Sequence, residues 1–218
     1  MSNIDNRDEE IASANYPDIR FFHIPKRGAT TPQNNCEASW ATCTPDVMKN
    51  TSAVAYFFGR NLQKDLNVPI GLIVSAWGGT PAEVWTPEER VMENPQIRDA
   101  MPDKTYPWWP VEPGVLYNQM INPIVPYSLA GAIWYQGESN RDHPDSYGIL
   151  LKTMIESWRK SFKKDFPFYL VQIAPYTYNA GDNGAALVRE HQEWVSRTVP
   201  ETGMVVVSDC VADIKNIH

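Results

Sequence analysis

The run Val68-Pro69-Ile70-Gly71-Leu72-Ile73-Val74-Ser75 carries no charged side chain and shows no alternation of apolar and polar positions. An unbroken apolar strand of this kind belongs in a parallel sheet covered by helices on both faces. Ala132-Ile133-Trp134-Tyr135, Phe168-Tyr169-Leu170-Val171-Gln172-Ile173 and Met204-Val205-Val206-Val207-Ser208 read the same way. The segments between them have helical period. The alternation predicts an α/β fold, three layers deep, with a mainly parallel sheet. One domain over residues 1–218 is the simplest count for this length.

Asp8 to Ala14 predicts a short helix, and Ile19-Arg20-Phe21-Phe22-His23-Ile24 alternates as a strand. Arg27 to Cys43 is rich in Gly, Pro, Thr and Asn and reads as a long loop with Trp40 as an anchor. Thr44-Pro45 opens one long helix, with Thr44 as N-cap and Asn67 as its end. Val47, Val54, Phe57, Phe58 and Leu62 form its apolar stripe. Short helices are expected over 88–93 and 116–121, and longer ones over 145–164 and 187–197. Tyr106-Pro107-Trp108-Trp109-Pro110 is a proline-aromatic loop.

Composition narrows the function. A formal net charge of −7 argues against a nucleic-acid-binding surface. No apolar run approaches the roughly 20 residues that span a bilayer, and the polar, acidic first 30 residues do not read as a signal peptide. Cys36, Cys43 and Cys210 have no metal-ligand spacing and read as free or buried thiols, a Cys36–Cys43 bridge being the alternative. Most of the eight Trp and ten Tyr belong to the core, although exposed aromatic faces also stack on sugar rings.

Three apolar strands end in polar or glycine-rich turns, where open α/β sheets build their sites. The first turn is Ala76-Trp77-Gly78-Gly79-Thr80-Pro81. Two adjacent glycines let backbone N–H groups face a ligand and stabilise an oxyanion; a simple tight turn is the alternative. The second is Gln136-Gly137-Glu138-Ser139-Asn140, in which the Gln136 amide is a candidate oxyanion donor. Glu138 either accepts a hydrogen bond from a base or ties down its own turn. The third runs from Asp209 to His218, with Asp213 between them. A histidine near carboxylates is the expected general base for a serine nucleophile, whereas a lone terminal histidine is ordinarily a surface residue. His23, His143 and His191 sit in a strand, a charged turn and a helix. No cluster has metal spacing, and no glycine-rich phosphate motif supports nucleotide binding.

GLIVSAWGGTPAEVW, GAIWYQGESN, FYLVQIAPY, LVREHQ and DIKNIH together resemble the sialate O-acetylesterase family, carbohydrate esterases of the SGNH-hydrolase type. The resemblance runs from about Glu9 to His218. It implies a flavodoxin-like three-layer α/β fold, no metal or other cofactor, and an acetylated carbohydrate substrate deacetylated through an acyl-enzyme. By position, it implies Gly78 or Gly79 as backbone oxyanion donor and Gln136 as side-chain oxyanion donor. Glu138 and Asn140 brace that turn, and His218 is the base. Many SGNH enzymes place Asp three residues before the histidine. Lys215 stands there in this chain, leaving Asp213 and Asp209 as the local acids.

The chain departs from the family at the front, where no Gly-Gln-Ser-Asn nucleophile block occurs. No strand precedes Ser2-Asn3 to hold it rigidly, so Ser2 reads as a coincidence. Ser75 and Ser139 have no nucleophilic role in the family, and both ends of the chain read as cut. Three functions follow: a carbohydrate O-acetylesterase; a catalytically inactive, vestigial fragment or non-catalytic sugar-binding domain; and, last, a glycosidase using Glu138. The glycosidase needs a second carboxylate at about 5–10 Å, for which the sequence offers no partner. Members of the family are often secreted, periplasmic or lysosomal, and the sequence does not assign a compartment.

Overall fold

The computed structural model describes residues 4–101, 105–125, 127–178, 181–215 and 217. The chain forms two compact units, one from Met1–Lys26 and Cys36–Ala76, the other from Arg27–Asn35 and Trp77–Ile217.

The first unit holds α1 (Arg7–Ser13), β1 (Tyr16–His23), β2 (Trp40–Cys43), α2 (Pro45–Met48), α3 (Ala53–Leu66) and β3 (Ile70–Val74). Its sheet runs β2-β1-β3; β1 pairs antiparallel with β2 and parallel with β3. Ile11, Ile19, Phe21, Cys43, Met48 and Tyr56 form its core. Two expectations need correction. The segment 27–43 is not all loop, because Trp40–Cys43 pairs with β1 and Trp40 packs on Phe22 at 5.2 Å between ring centroids. The predicted long helix is two. Thr51 Oγ1 turns back to Val47 O at 2.7 Å, and Ser52 then caps α3 by accepting from Ala55 N at 3.3 Å. Thr44 makes no side-chain cap, and Asn67 ends α3 with a left-handed φ of 52°, as expected. All three cysteines are free.

The second unit carries α4 (Glu88–Glu93), α5 (Pro95–Arg98), β4 (Ala132–Trp134), α6 (Tyr147–Phe162), β5 (Phe168–Val171), α7 (Gly184–Thr198) and β6 (Thr202–Val205). The helical turn expected over 116–121 is π-helical over Tyr117–Ile121 and continues as a 3-10 turn through Pro123. β4, β5 and β6 lie in that order, all parallel, with Ala132 opposite Phe168 and Phe168 opposite Thr202. One face is buried through Trp134, Phe168 and Leu170. Trp85, Trp134, Trp158 and Phe168 pack there, mostly edge to face. The other face shows Ile133, Tyr169 and Val205 exposed, so this sheet is covered on one side rather than on both as its apolar runs predicted. The buried Arg159 of α6 donates to Phe166 O, Pro200 O and Glu201 O, fastening the helix to the starts of β5 and β6.

Candidate functional site

β4 delivers its chain directly into Gln136-Gly137-Glu138-Ser139-Asn140, which closes as a 3-10 turn over Glu138–Asn140. Gly137 has a φ of 156°, and a Cβ there would meet Ile173 Cγ2 at 2.8 Å and Val188 Cγ1 at 2.9 Å. Only glycine lets the strand end turn this close to α7 and the segment after β5.

Four side-chain contacts tie this turn to the glycine turn at 77–83. Ser139 Oγ donates to Gly79 O at 2.8 Å, and Gln136 Nε2 donates to Thr80 O at 3.2 Å. Asn140 Oδ1 accepts from Ala82 N at 3.0 Å, and Asn140 Nδ2 donates to Glu83 Oε2 at 2.9 Å. The two strand ends that the sequence marks separately therefore form one structure, with Gly79, Gln136 and Asn140 together.

Gln136 is held on every polar atom of its side chain. Besides Thr80 O, its Nε2 donates to Asn140 Oδ1 at 2.7 Å. Its Oε1 accepts from the Tyr147 hydroxyl at 3.2 Å, and its backbone carbonyl accepts from Tyr147 at 3.0 Å and Gln192 Nε2 at 3.1 Å. Tyr147 and Gln192 are fully buried. Burial pushes the Tyr147 phenol far above its ordinary range, so it stays a neutral donor. Both amide hydrogens of Gln136 are thus committed within the protein.

The backbone donors are placed differently. Gly78 and Gly79 are exposed, and among the described residues neither N–H meets an acceptor. Gly79 has a φ of 83°, and a Cβ on it would lie 2.7 Å from the Trp109 ring. That indole rests directly on the glycine turn.

Glu83, Tyr147 and Gln192 belong to this network and were not singled out by sequence. Glu83 is the most unusual: it is 1% exposed, and its Oε1 has no hydrogen-bond partner among the described residues. Burial raises its carboxyl above the usual range, while the Asn140 hydrogen bond and nearby His143 oppose the shift. The signal for Glu83 was present in TPAEVW, where a lone carboxylate sits in a segment that is buried throughout.

Glu138 is half-buried, with its charge beside Tyr135, Tyr147 and Tyr178. Asp213 is exposed, and its Oδ1 accepts from Lys215 N at 2.9 Å, which turns the chain locally. Asp209 is also exposed. His218 and Ser2 lie outside the described residues. No group of three or more His, Cys, Asp and Glu able to hold a metal ion occurs among the described residues, and no helix among them is long and apolar enough to cross a membrane.

A family profile described as carbohydrate esterase, sialic acid-specific acetylesterase, matches residues 33–218. The sialate O-acetylesterase of Pongo abelii is 36% identical over 206 residues, which cover 86% of this chain and 39% of that protein. The sialate O-acetylesterase of Mus musculus is 32% identical over 88% of this chain and 44% of its own length. Among solved structures, a carbohydrate acetylesterase from Xanthomonas citri superposes with a TM-score of 0.83 at 31% identity. That match covers 97% of this chain and 47% of the solved one. The chain thus spans less than half the length of each of these relatives.

Proposed function

Because the chain belongs to the sialate O-acetylesterase family of carbohydrate esterases, we propose that it carries the oxyanion-binding part of a site that removes O-acetyl groups from sugars. The observation that carries this reading is the joining of the two turns through Ser139–Gly79 and Gln136–Thr80, with the Gly78 and Gly79 N–H groups open among the described residues. Sialic acids and acetylated polysaccharides are the substrate classes. The flavodoxin-like three-layer fold, as one domain over residues 1–218, is part of the same reading. The all-parallel β4-β5-β6 sheet, with α6 and α7 following β4 and β5 in the chain, supports the α/β part of it.

In this mechanism a serine oxygen attacks the acetyl carbonyl, and its proton passes to His218. Charge then collects on the carbonyl oxygen. The N–H of Gly79 or Gly78 donates to that oxygen. Gln136 Nε2 joins by releasing Thr80 O, the longer of its two bonds, while keeping Asn140. Donors fixed before the charge develops lower the barrier most, and the Glu83–Asn140–Gln136 chain supplies that fixity. The imidazolium returns its proton to the departing sugar oxygen, and water repeats the sequence to free acetate. Asp213 or Asp209 orients His218, and Glu138 braces the turn.

The second reading, a sugar-binding domain without turnover, rests on the commitment of both Gln136 amide hydrogens to Thr80 O and Asn140 Oδ1. One assay separates them. The chain is incubated with para-nitrophenyl acetate and with a mono-acetylated methyl glycoside, with and without a serine-directed inhibitor. Inhibitor-sensitive acetate release supports the esterase. Sugar binding without release moves the chain to the second reading, and neither binding nor release removes both.

A further inference from the structure

Trp108 is 61% exposed, the most open of the large apolar side chains among the described residues. It is nevertheless held in place. Its ring stands against Trp109 at 5.5 Å and 73°, and Tyr106 packs on Trp109 at 4.8 Å and on Trp108 at 6.4 Å. A backbone bridge between Tyr106 and Trp109 closes the loop beneath them. Trp109, the inner ring, lies on Gly79, whose N–H is an open donor of the candidate site. The cluster is therefore continuous with the glycine turn.

An indole left in water forgoes the gain of burying its apolar surface, so a fixed and exposed one next to a site calls for an occupant. Size decides which. Tyr106 is 37% exposed, and with Trp108 it offers about 200 Å² of aromatic surface, given about 150–250 Å² per aromatic side chain. A stable protein partner needs about 800 Å² on each side. One sugar ring needs far less. It presents a flat C–H face to an aromatic plane while its hydroxyls keep hydrogen-bonding, and Ser139 binds the same Gly79 on which Trp109 rests. The net charge of −7 disfavours an anionic lipid surface.

We propose that Tyr106 and Trp108 form the subsite for the pyranose ring that bears the acetyl group, its C–H face stacked on the Trp108 indole and its acetyl directed to Gly79. The assignment rests on reading the turn pair as an acetyl-sugar site. It is tested by binding, which needs no turnover. The probe is the acetamido analogue of a mono-acetylated methyl glucoside, titrated by calorimetry into the wild-type chain, Trp108→Ala and Trp108→Phe. Thermal melts verify that the variants fold.

The expected result is affinity about tenfold or more weaker for Trp108→Ala, with Trp108→Phe within about threefold of wild type. Equal affinity of Trp108→Ala and wild type overturns the subsite, as does no binding by the wild type. A wild-type dimer that Trp108→Ala makes monomeric assigns the face to a second copy and also overturns it. Trp108-dependent binding without acetate release keeps the subsite while the esterase reading falls. Acetate release whose KM is unchanged in Trp108→Ala does the reverse.

Discussion

Asn140 Nδ2 donates to Glu83 Oε2 at 2.9 Å, an amide and a carboxyl facing each other inside the protein with neither exposed beyond 3%. The pair fixes which way the Asn140 amide points. Its carbonyl oxygen is then left to accept from Ala82 N and Gln136 Nε2. Asn140→Asp removes the donor and sets a second carboxyl against Glu83. The expected cost is about 3–5 kcal/mol, the range for a buried charge that loses its partner. Glu83→Gln in the same chain restores a donor–acceptor pair with the roles exchanged. The double variant is expected to recover most of the loss, read as a coupling energy from urea midpoints of the four proteins. Simple addition of the two single effects would mean that the pair does not hold the turn.

Glu83 also gives a pH signature. Burial raises its folded-state pKa above the unfolded value, with His143 and Tyr147 the titratable groups beside it. A raised carboxyl contributes its full stability below the unfolded pKa and loses it as pH climbs through the folded one. Glu83→Gln mimics the neutral acid at all pH. The variant and wild type are expected to melt together near about pH 4 and to separate by about 3 °C or more near about pH 8, the variant higher. A gap that is constant with pH counts against the assignment.

The neighbouring glycines provide an internal control. At Gly79 an alanine meets both a left-handed φ of 83° and the Trp109 ring at 2.7 Å. Strain of about 1–2 kcal/mol and overpacking of about 1–3 kcal/mol add there. At Gly78 nothing lies within 4 Å of a Cβ. Gly79→Ala is expected to lower stability by about 2–5 kcal/mol and to change the near-ultraviolet circular dichroism of the indoles. Gly78→Ala stays within about 0.5 kcal/mol. Equal stabilities would mean that Trp109 does not rest on the turn.

What could be read from the sequence was local. α6 follows from Tyr147, Leu150, Leu151, Met154, Ile155, Trp158 and Phe162 recurring at three and four, all buried in the structure except the half-buried Phe162. The glycine turn and the Gln136 turn were visible because polar groups follow apolar strands without a break. β2 was missed because four residues in a loop-rich stretch become a strand only through their partner, β1. The break between α2 and α3 was written in Lys49-Asn50-Thr51-Ser52, a polar run ending in a good N-cap, but the apolar stripe on either side outweighed it. Glu83, Tyr147 and Gln192 escaped for a different reason. Their role depends on burial and on contacts across 57, 11 and 56 residues of chain. The commitment of both Gln136 hydrogens is equally invisible without a fold.

Gln136 is where the chemistry can be measured most directly. If its amide joins the glycine N–H at the oxyanion, Gln136→Ala removes a donor that acts in the transition state. A loss of about 10²-fold in kcat with little change in KM is expected, measured on an acetylated sugar. Tyr147→Phe leaves the amide in place but takes away the hydroxyl that holds both of its oxygens, at 3.0 and 3.2 Å. Its kcat is expected to fall between wild type and Gln136→Ala, since the donor is present but less well aimed. Combining the two changes then costs little further kcat beyond Gln136→Ala alone, because the Tyr147 bonds to the residue 136 side chain and backbone affect the donor only while that amide is present. A Gln136→Ala chain that loses only affinity, or a Tyr147→Phe effect that adds in full, would confine Gln136 to joining the two turns.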